Sequence, residues 1–263
     1  MHKLRLVYKY LTFRLRAFKL HGIHSPFVFN LYQEVICHDG QFNAFGPIEE
    51  LRLRLLQDNR YLKVKDFGAG SHIRKARRRR ISDLARHSAK PPKLAQLLFR
   101  LVNHTQPKTI LEIGTSLGLT TAYLAAARSG ARTITLEGCP QTAELARQNL
   151  QALPLPNLTL VEGEFSATLP RVLNELQQVD FVFLDGNHRY VPTMRYFQAC
   201  LEKKSENSVF VLDDIYWSPE MEKAWKEICR HPAVMISIDL FWLGLVFFRK
   251  NQPKQHFILH IPN

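Results

Sequence analysis

The sequence predicts an α/β fold, a parallel sheet with helices on both faces followed by an antiparallel hairpin at its edge. Three observations predict it. From residue 107 onward, short apolar runs alternate with segments of helical periodicity. The last two apolar runs are joined by a link too short for a crossover. Finally, 263 residues at 46% hydrophobic and 22% charged can bury a sizeable core.

The alternation predicts strands over 109–113, 133–136, 158–161, 181–184 and 209–212. Helices are expected between them over 117–128, 141–152, 166–177 and 191–201. Each right-handed crossover places its helix on the sheet, so the five strands run parallel. A further helix over 219–229 precedes apolar runs at 234–238 and 243–249, which pair as the hairpin around 239–242.

The charge is unevenly distributed. Residues 1–93 hold 20 Lys and Arg against 7 Asp and Glu, whereas residues 94–263 hold 16 of each. The split predicts a basic, mainly helical N-terminal region over 1–93, a second region over 94–250, and a tail over 251–263, with a boundary near Pro91-Pro92. Leu4, Val7, Tyr8, Leu11, Leu15 and Phe18 recur at helical spacing among Lys3, Arg5, Lys9, Arg14, Arg16 and Lys19. Such a basic amphipathic helix can lie on an anionic membrane or touch nucleic-acid phosphates. The simpler expectation is that its apolar stripe docks on its own protein or on a dimer mate. Arg77 to Arg80 form a run of arginines, expected as a solvated loop or an exposed helix face. A helix led by Leu94, Leu97, Leu98, Leu101 and Val102 enters the second region.

Four scattered cysteines, Cys37, Cys139, Cys200 and Cys229, form no C-x-x-C pair, so neither a disulfide framework nor a thiolate zinc site is expected. No run of 18 apolar residues is present and the N-terminus lacks the apolar stretch of a secretory signal. The expected location is the cytoplasm.

Two glycine turns compete as a cofactor loop. Asp66-Phe67-Gly68-Ala69-Gly70 has no strand ending in an acid about 20 residues on, and reads as a decoy. Glu112-Ile113-Gly114-Thr115-Ser116-Leu117-Gly118 follows a buried strand and opens a helix, as a nucleotide-type turn must. Glu137 ends the next strand, where a carboxylate can accept both hydroxyls of a ribose; its other reading is a carboxylate near a helix N-cap. The turn has no Lys after its last glycine, which disfavours triphosphate chemistry, and it departs from G-x-G-x-x-G, which disfavours a dinucleotide.

The third feature is a set of acids at strand ends. Asp185 ends the fourth strand and Asp213 and Asp214 end the fifth, so all reach the same carboxyl edge of the sheet. Converging carboxylates repel unless protonated, hydrogen-bonded or bridged by a cation, and an oxygen set suits Mg2+ or Ca2+. Alternatively, Asp185 positions a cofactor amine and Asp213-Asp214 caps the following turn.

With these segments in view, Ile110-Leu-Glu-Ile-Gly-Thr-Ser-Leu-Gly-Leu-Thr-Thr, Leu136-Glu137-Gly138, Val161-Glu162-Gly163-Glu164, the run from Asp180 to Tyr190, and Val209 to Asp214, residues 107–250 resemble a class I S-adenosylmethionine-dependent methyltransferase. Within that class they are similar to the small O-methyltransferases of the catechol and caffeoyl-CoA type. The resemblance implies a Rossmann-like sheet with the C-terminal hairpin and S-adenosylmethionine as cofactor. By motif position it implies that Glu112, Gly114, Thr115 and Ser116 contact the amino-acid part and Glu137 the ribose, with Glu164 and Phe165 at the adenine. Gly118, Gly138, Gly163 and Asp185 complete that set. It also implies metal ligation by Asp185, Asp213 and Asp214, although the family usually has Asn where this chain has Asp214. His188 stands where catechol-type enzymes carry a lysine base, and an imidazole suits removal of an acceptor hydroxyl proton.

The expected reaction is methyl transfer to a small hydroxylated acceptor, with Asp185 and His188 as the catalytic pair. Two rivals remain. One is an RNA or protein methyltransferase using the basic N-terminal region; Asp213-Asp214-Ile215-Tyr216 departs from the Pro-Pro-aromatic motif of amino-directed base methylation. The other is a catalytically silent membrane-surface or scaffold protein on the same fold. Tyr190, Tyr216 and Trp217 are candidate walls of the acceptor pocket, and Phe241-Trp242-Leu243 could serve a homodimer interface.

Overall fold

The computed structural model describes residues 2–17, 22–64, 78–250 and 252–262. The decoy turn at 66–70, Phe18, Lys19 and Arg77 lie outside the described residues. The main sheet has eight strands, mixed and mostly parallel. The chain divides into two compact units, one made of residues 1–39 and 180–263 and the other of residues 40–179. The step in charge at Pro91-Pro92 falls inside the second of these.

The unit spanning 40–179 contains helices α3 (Phe45–Gln57), α4 (Ile81–His87), α5 (Pro92–Thr105), α6 (Leu119–Ala127), α7 (Pro140–Gln151) and α8 (Phe165–Glu175). Its strands β3 (Thr109–Ile113), β4 (Arg132–Glu137) and β5 (Leu158–Glu162) run in that order and parallel. β3 is an apolar run because helices cover both faces; Ile110, Leu111 and Ile113 are fully buried. Each such side chain contributes about 1.5–3 kcal/mol through burial. Pro92 and Pro140 sit in the first turns of α5 and α7, where a missing N–H costs nothing. Phe45 of α3 meets Phe99 of α5 and Tyr123 of α6 at ring separations of 4.9 and 5.4 Å. The Tyr123 hydroxyl donates to Glu49 Oε1 at 2.7 Å, which gives this aromatic cluster a polar anchor on α3.

A small antiparallel pair, β1 (Tyr61–Lys63) and β2 (Arg78–Arg80), belongs to the same unit. Part of the expected arginine loop is thus a strand. Arg78 and Arg80 lie over the Tyr61 ring at 5.6 and 5.3 Å, so their charges remain solvated while their planes pack. Lys63 N donates to Gln141 Oε1 at 2.6 Å, fastening the pair to the start of α7.

The other unit begins with α1 (His2–Arg16), α2 (Pro26–Leu31) and a π-helical turn (Tyr32–Ile36). Ser25 caps α2 by accepting from Val28 N. Residues 180–263 add β6 (Val179–Leu184, whose first residue falls in the other unit), α9 (Tyr190–Leu201), β7 (Lys204–Asp213), α10 (Pro219–Arg230), β8 (Ile236–Asp239), β9 (Leu243–Phe247) and β10 (Gln255–Ile258). The strand order is β10-β8-β9-β7-β6. The expected hairpin forms, with β9 antiparallel to both β7 and β8. Residues 251–263, expected as a tail, instead supply β10, which pairs with β8 in parallel beyond the hairpin. Among the described residues no helix is long and apolar enough to cross a membrane.

Candidate functional site

The first candidate group is built by the loop between β3 and α6. Gly114 has φ 110° and Gly118 φ 83°, values that glycine adopts without a Cβ penalty. Ser116 between them has φ 50°, which costs a non-glycine residue about 1–2 kcal/mol. The loop is held on this course by its neighbours. Gly114 N and Thr115 N both donate to Leu136 O, at 3.0 and 3.1 Å. Asn149 Nδ2 donates to Leu117 O at 2.9 Å.

Beneath the loop runs a buried polar chain. Thr115 Oγ1 and Thr135 Oγ1 are 2.6 Å apart, Thr135 Oγ1 donates to Glu112 Oε2 at 2.7 Å, and Thr121 Oγ1 donates to the same oxygen. Glu112 is fully buried. Its carboxylate therefore anchors β4, α6 and, through Thr135, the Gly114 loop. Thr115 was expected at the cofactor and Thr121 lies in the quoted motif, but Thr135, the buried link between them and Glu112, was missed; a threonine in an apolar strand was its only signal.

Glu137 terminates β4. Its Oε2 accepts from Ser116 N and its Oε1 from Cys139 N, each at 2.9 Å. Burial pushes its pKa up, and the backbone N–H groups of Cys139, Ser116 and Gly138 pull it back. Of the about four acceptor sites a carboxylate offers, three take these backbone N–H groups, which leaves about one for a sugar hydroxyl. Gly163 N donates to Glu137 O at 2.9 Å. Gly163 has φ 135°, and a Cβ there would come within 2.9 Å of Thr168 Cγ2. Glu164 is exposed, and Phe165, half-buried, opens α8. Acceptors at one strand end beside a glycine turn fit a nucleoside that carries no phosphate.

The second group lies in the other unit. Asp185 follows β6, His188 stands three residues on, and Asp213 ends β7. One ligand atom from each lies within 4.8 Å of the others. His188 Nε2 is 3.4 Å from Asp185 Oδ1. Asp214 is outside that set. Two loop residues are in the left-handed region, Asn187 at φ 65° and Asp214 at φ 52°. Asp214 N donates to Trp242 O at 2.8 Å, and Trp217 N donates to Asp214 O at 2.9 Å, so hydrogen bonds sustain the strained turn.

Burial alone would lower the His188 pKa, but the carboxylates of Asp185, Asp214 and Asp213 reverse this and raise it to about 9. His188 is then an imidazolium at neutral pH. Two carboxylates suit a hard cation, whereas an imidazole belongs to the ligand set of softer metals, so the donor chemistry fits Asp185 and Asp213 as ligands with His188 beside them.

Two of the candidate acceptor walls have partners of their own. The Tyr190 hydroxyl is committed to Glu227 Oε2 at 2.6 Å on α10, with Lys223 over its ring. Tyr216 is stacked on Phe241 at 5.1 Å.

Residues 111–215 match the model of a methyltransferase domain family. A catechol O-methyltransferase of Niastella koreensis is 32% identical over 126 residues, covering 47% of this chain and 55% of the relative. A protein-L-isoaspartate O-methyltransferase of Chromobacterium violaceum is 33% identical over 104 residues, covering 40% and 44%. The chain thus spans about half the length of these curated relatives. Among solved structures, an O-methyltransferase of Bacillus cereus in complex with SAH has TM-score 0.57 at 19% identity, covering 82% of this chain and 94% of that one. An SAH-bound methyltransferase of Podospora anserina has TM-score 0.59 at 16% identity, covering 87% and 97%. At such identities the structural likeness is one of fold. Residues 111–215 thus resemble a methyltransferase domain, the curated relatives that align there include catechol O-methyltransferases, and the solved methyltransferases share the fold.

Proposed function

We propose that the protein transfers the methyl group of S-adenosylmethionine to a hydroxyl of a small acceptor with the help of a divalent cation, in the cytoplasm. The observation that carries this reading is the convergence of Asp185, His188 and Asp213 within 4.8 Å, an arrangement suited to an oxygen acceptor rather than to a base nitrogen. The Gly114 loop, Glu137 with Gly138, and Gly163 with Glu164 and Phe165 would hold the donor, and Asp185 and Asp213 would hold a cation. Glu112 sets the loop through Thr135 and Thr115. The bound donor supplies an electrophilic sulfonium methyl, and a cation lowers the pKa of the acceptor hydroxyl.

The chain's own residues do the rest. Glu137 fixes the sugar and thereby the direction in which the methyl points. His188, relieved of the uncompensated carboxylate charge, accepts the hydroxyl proton. Hydrogen bonds from Asp214 N to Trp242 O and from Trp217 N to Asp214 O fix the loop that follows Asp213.

Calorimetry with S-adenosylhomocysteine, followed by methyl-transfer assays on catechol-type acceptors with Mg2+ or EDTA, tests this. Binding that Glu137→Ala abolishes, with transfer that EDTA stops, is the expected result. Absence of binding up to about 1 mM ligand overturns the cofactor assignment. Full turnover after metal stripping overturns the cation assignment.

A further inference from the structure

Helix α1 has two apolar faces. Its inner face is bound within its own unit: Tyr10 and Phe13 pack on Phe241 at 5.0 and 5.4 Å. Arg5 Nη2 and Lys9 Nζ reach the Glu222 carboxylate at 2.9 and 2.8 Å, and Arg5 Nη1 donates to Tyr216 O at 3.2 Å. The outer face carries Leu4, Val7, Tyr8, Leu11 and Leu15, all 57–88% exposed. Among the described residues nine large apolar side chains are exposed, and five of them stand on this one helix of 15 residues. Scattered exposed leucines are ordinary; a continuous stripe marks an interaction surface.

We infer that this stripe docks on an anionic lipid surface. Charge selects the occupant. Arg5 and Lys9 are taken up by Glu222, but Arg14 and Arg16 in the last turn of the helix are exposed, and no acid occurs before Glu34. A second copy would bring the same cations against one another, with none of the opposite charges that flank a helical zipper. A nucleic acid would meet the charges but leave the leucines in water. A membrane with anionic headgroups satisfies both, since the leucines enter the acyl boundary while the exposed Arg14 and Arg16 reach the headgroups. The geometry agrees. Fifteen residues at 1.5 Å rise span about 22 Å, too short to cross a hydrocarbon core of about 30 Å, so the helix lies along the surface. Its inner face stays on Glu222 and Phe241, so the unit is carried to the membrane as it stands.

Co-sedimentation of the full chain with phosphatidylcholine vesicles, with and without phosphatidylglycerol, tests this. The expected result is sedimentation with the phosphatidylglycerol vesicles alone, weakened by salt, at about fivefold in affinity per cation screened. Leu11→Glu with Leu15→Glu should lower that affinity at least about tenfold with its thermal unfolding unchanged, because both side chains are exposed. Leu15→Ser alone should lower it by a smaller factor. No sedimentation, equal sedimentation with neutral vesicles, or indifference to the double substitution overturns the inference. So does self-association without vesicles that the double substitution abolishes, which would make a second copy the occupant. Cofactor binding plays no part in any arm, so failure here leaves the proposed methyl transfer standing.

Discussion

The Tyr216 hydroxyl donates to Asp239 Oδ2 at 2.6 Å, tying the loop after β7 to the end of β8. Phe241 N donates to the other oxygen of the same carboxylate at 2.8 Å. Burial pushes the Asp239 pKa up against these hydrogen bonds, and burial with the Asp239 charge raises that of Tyr216. Tyr216→Phe removes a donor from a buried carboxylate and should cost about 1–3 kcal/mol, read as a lower urea midpoint at unchanged slope.

Glu222 gathers Arg5, Lys9 and Lys226, the last at 3.0 Å. Burial raises its pKa, but hydrogen bonds from Lys9 and Lys226 outweigh this and lower it below 4.5. A depressed folded pKa contributes stability above the unfolded value, and that contribution disappears as pH falls through the folded one. Glu222→Gln should therefore cost about 1–2 kcal/mol at pH 7 and show a flatter loss of stability below about pH 4.5. Limited proteolysis within α1 should accelerate in parallel.

Gly244 lies in β9 against Trp225, and a Cβ there would come within 2.6 Å of the indole. The ring is nearly fully buried and has little room to retreat. Gly244→Ala should cost about 1–3 kcal/mol by overpacking and shift the tryptophan fluorescence, whereas Gly46→Ala, with open space around it, should move neither.

Asp213 separates the chemical step from cofactor binding. Asp213→Asn should lower kcat by about 100-fold or more while leaving the Kd for S-adenosylhomocysteine within about threefold. EDTA should lower wild-type activity and have little further effect on the variant.

Legibility followed burial. β3, β6 and β7 are covered on both faces, so their apolar runs could be read directly, with boundaries off by a few residues at most except at the N-terminal end of β7. β10 escaped because Gln255-His256-Phe257-Ile258 is a short edge strand that buries only Phe257. β2 escaped because three arginines carry no apolar pattern; their partner is the face of Tyr61 on another strand. Asp185, His188 and Asp213 were legible as strand-end residues. That Asp214 stays outside this group, although its charge still acts on His188, was not, since a left-handed φ at an aspartate leaves no mark in composition. The inner partners of α1 were invisible for another reason: Arg5 and Glu222 are 217 residues apart.

That separation bears on biosynthesis. A ribosome delivers Tyr10 and Phe13 long before Phe241, the ring they pack on, has been translated. Until the final strands emerge, the nascent N-terminus presents both greasy sides of its first helix at once. The newborn chain is therefore a natural client for a holdase, and fragments stopped short of Phe241 should be recovered in the insoluble fraction.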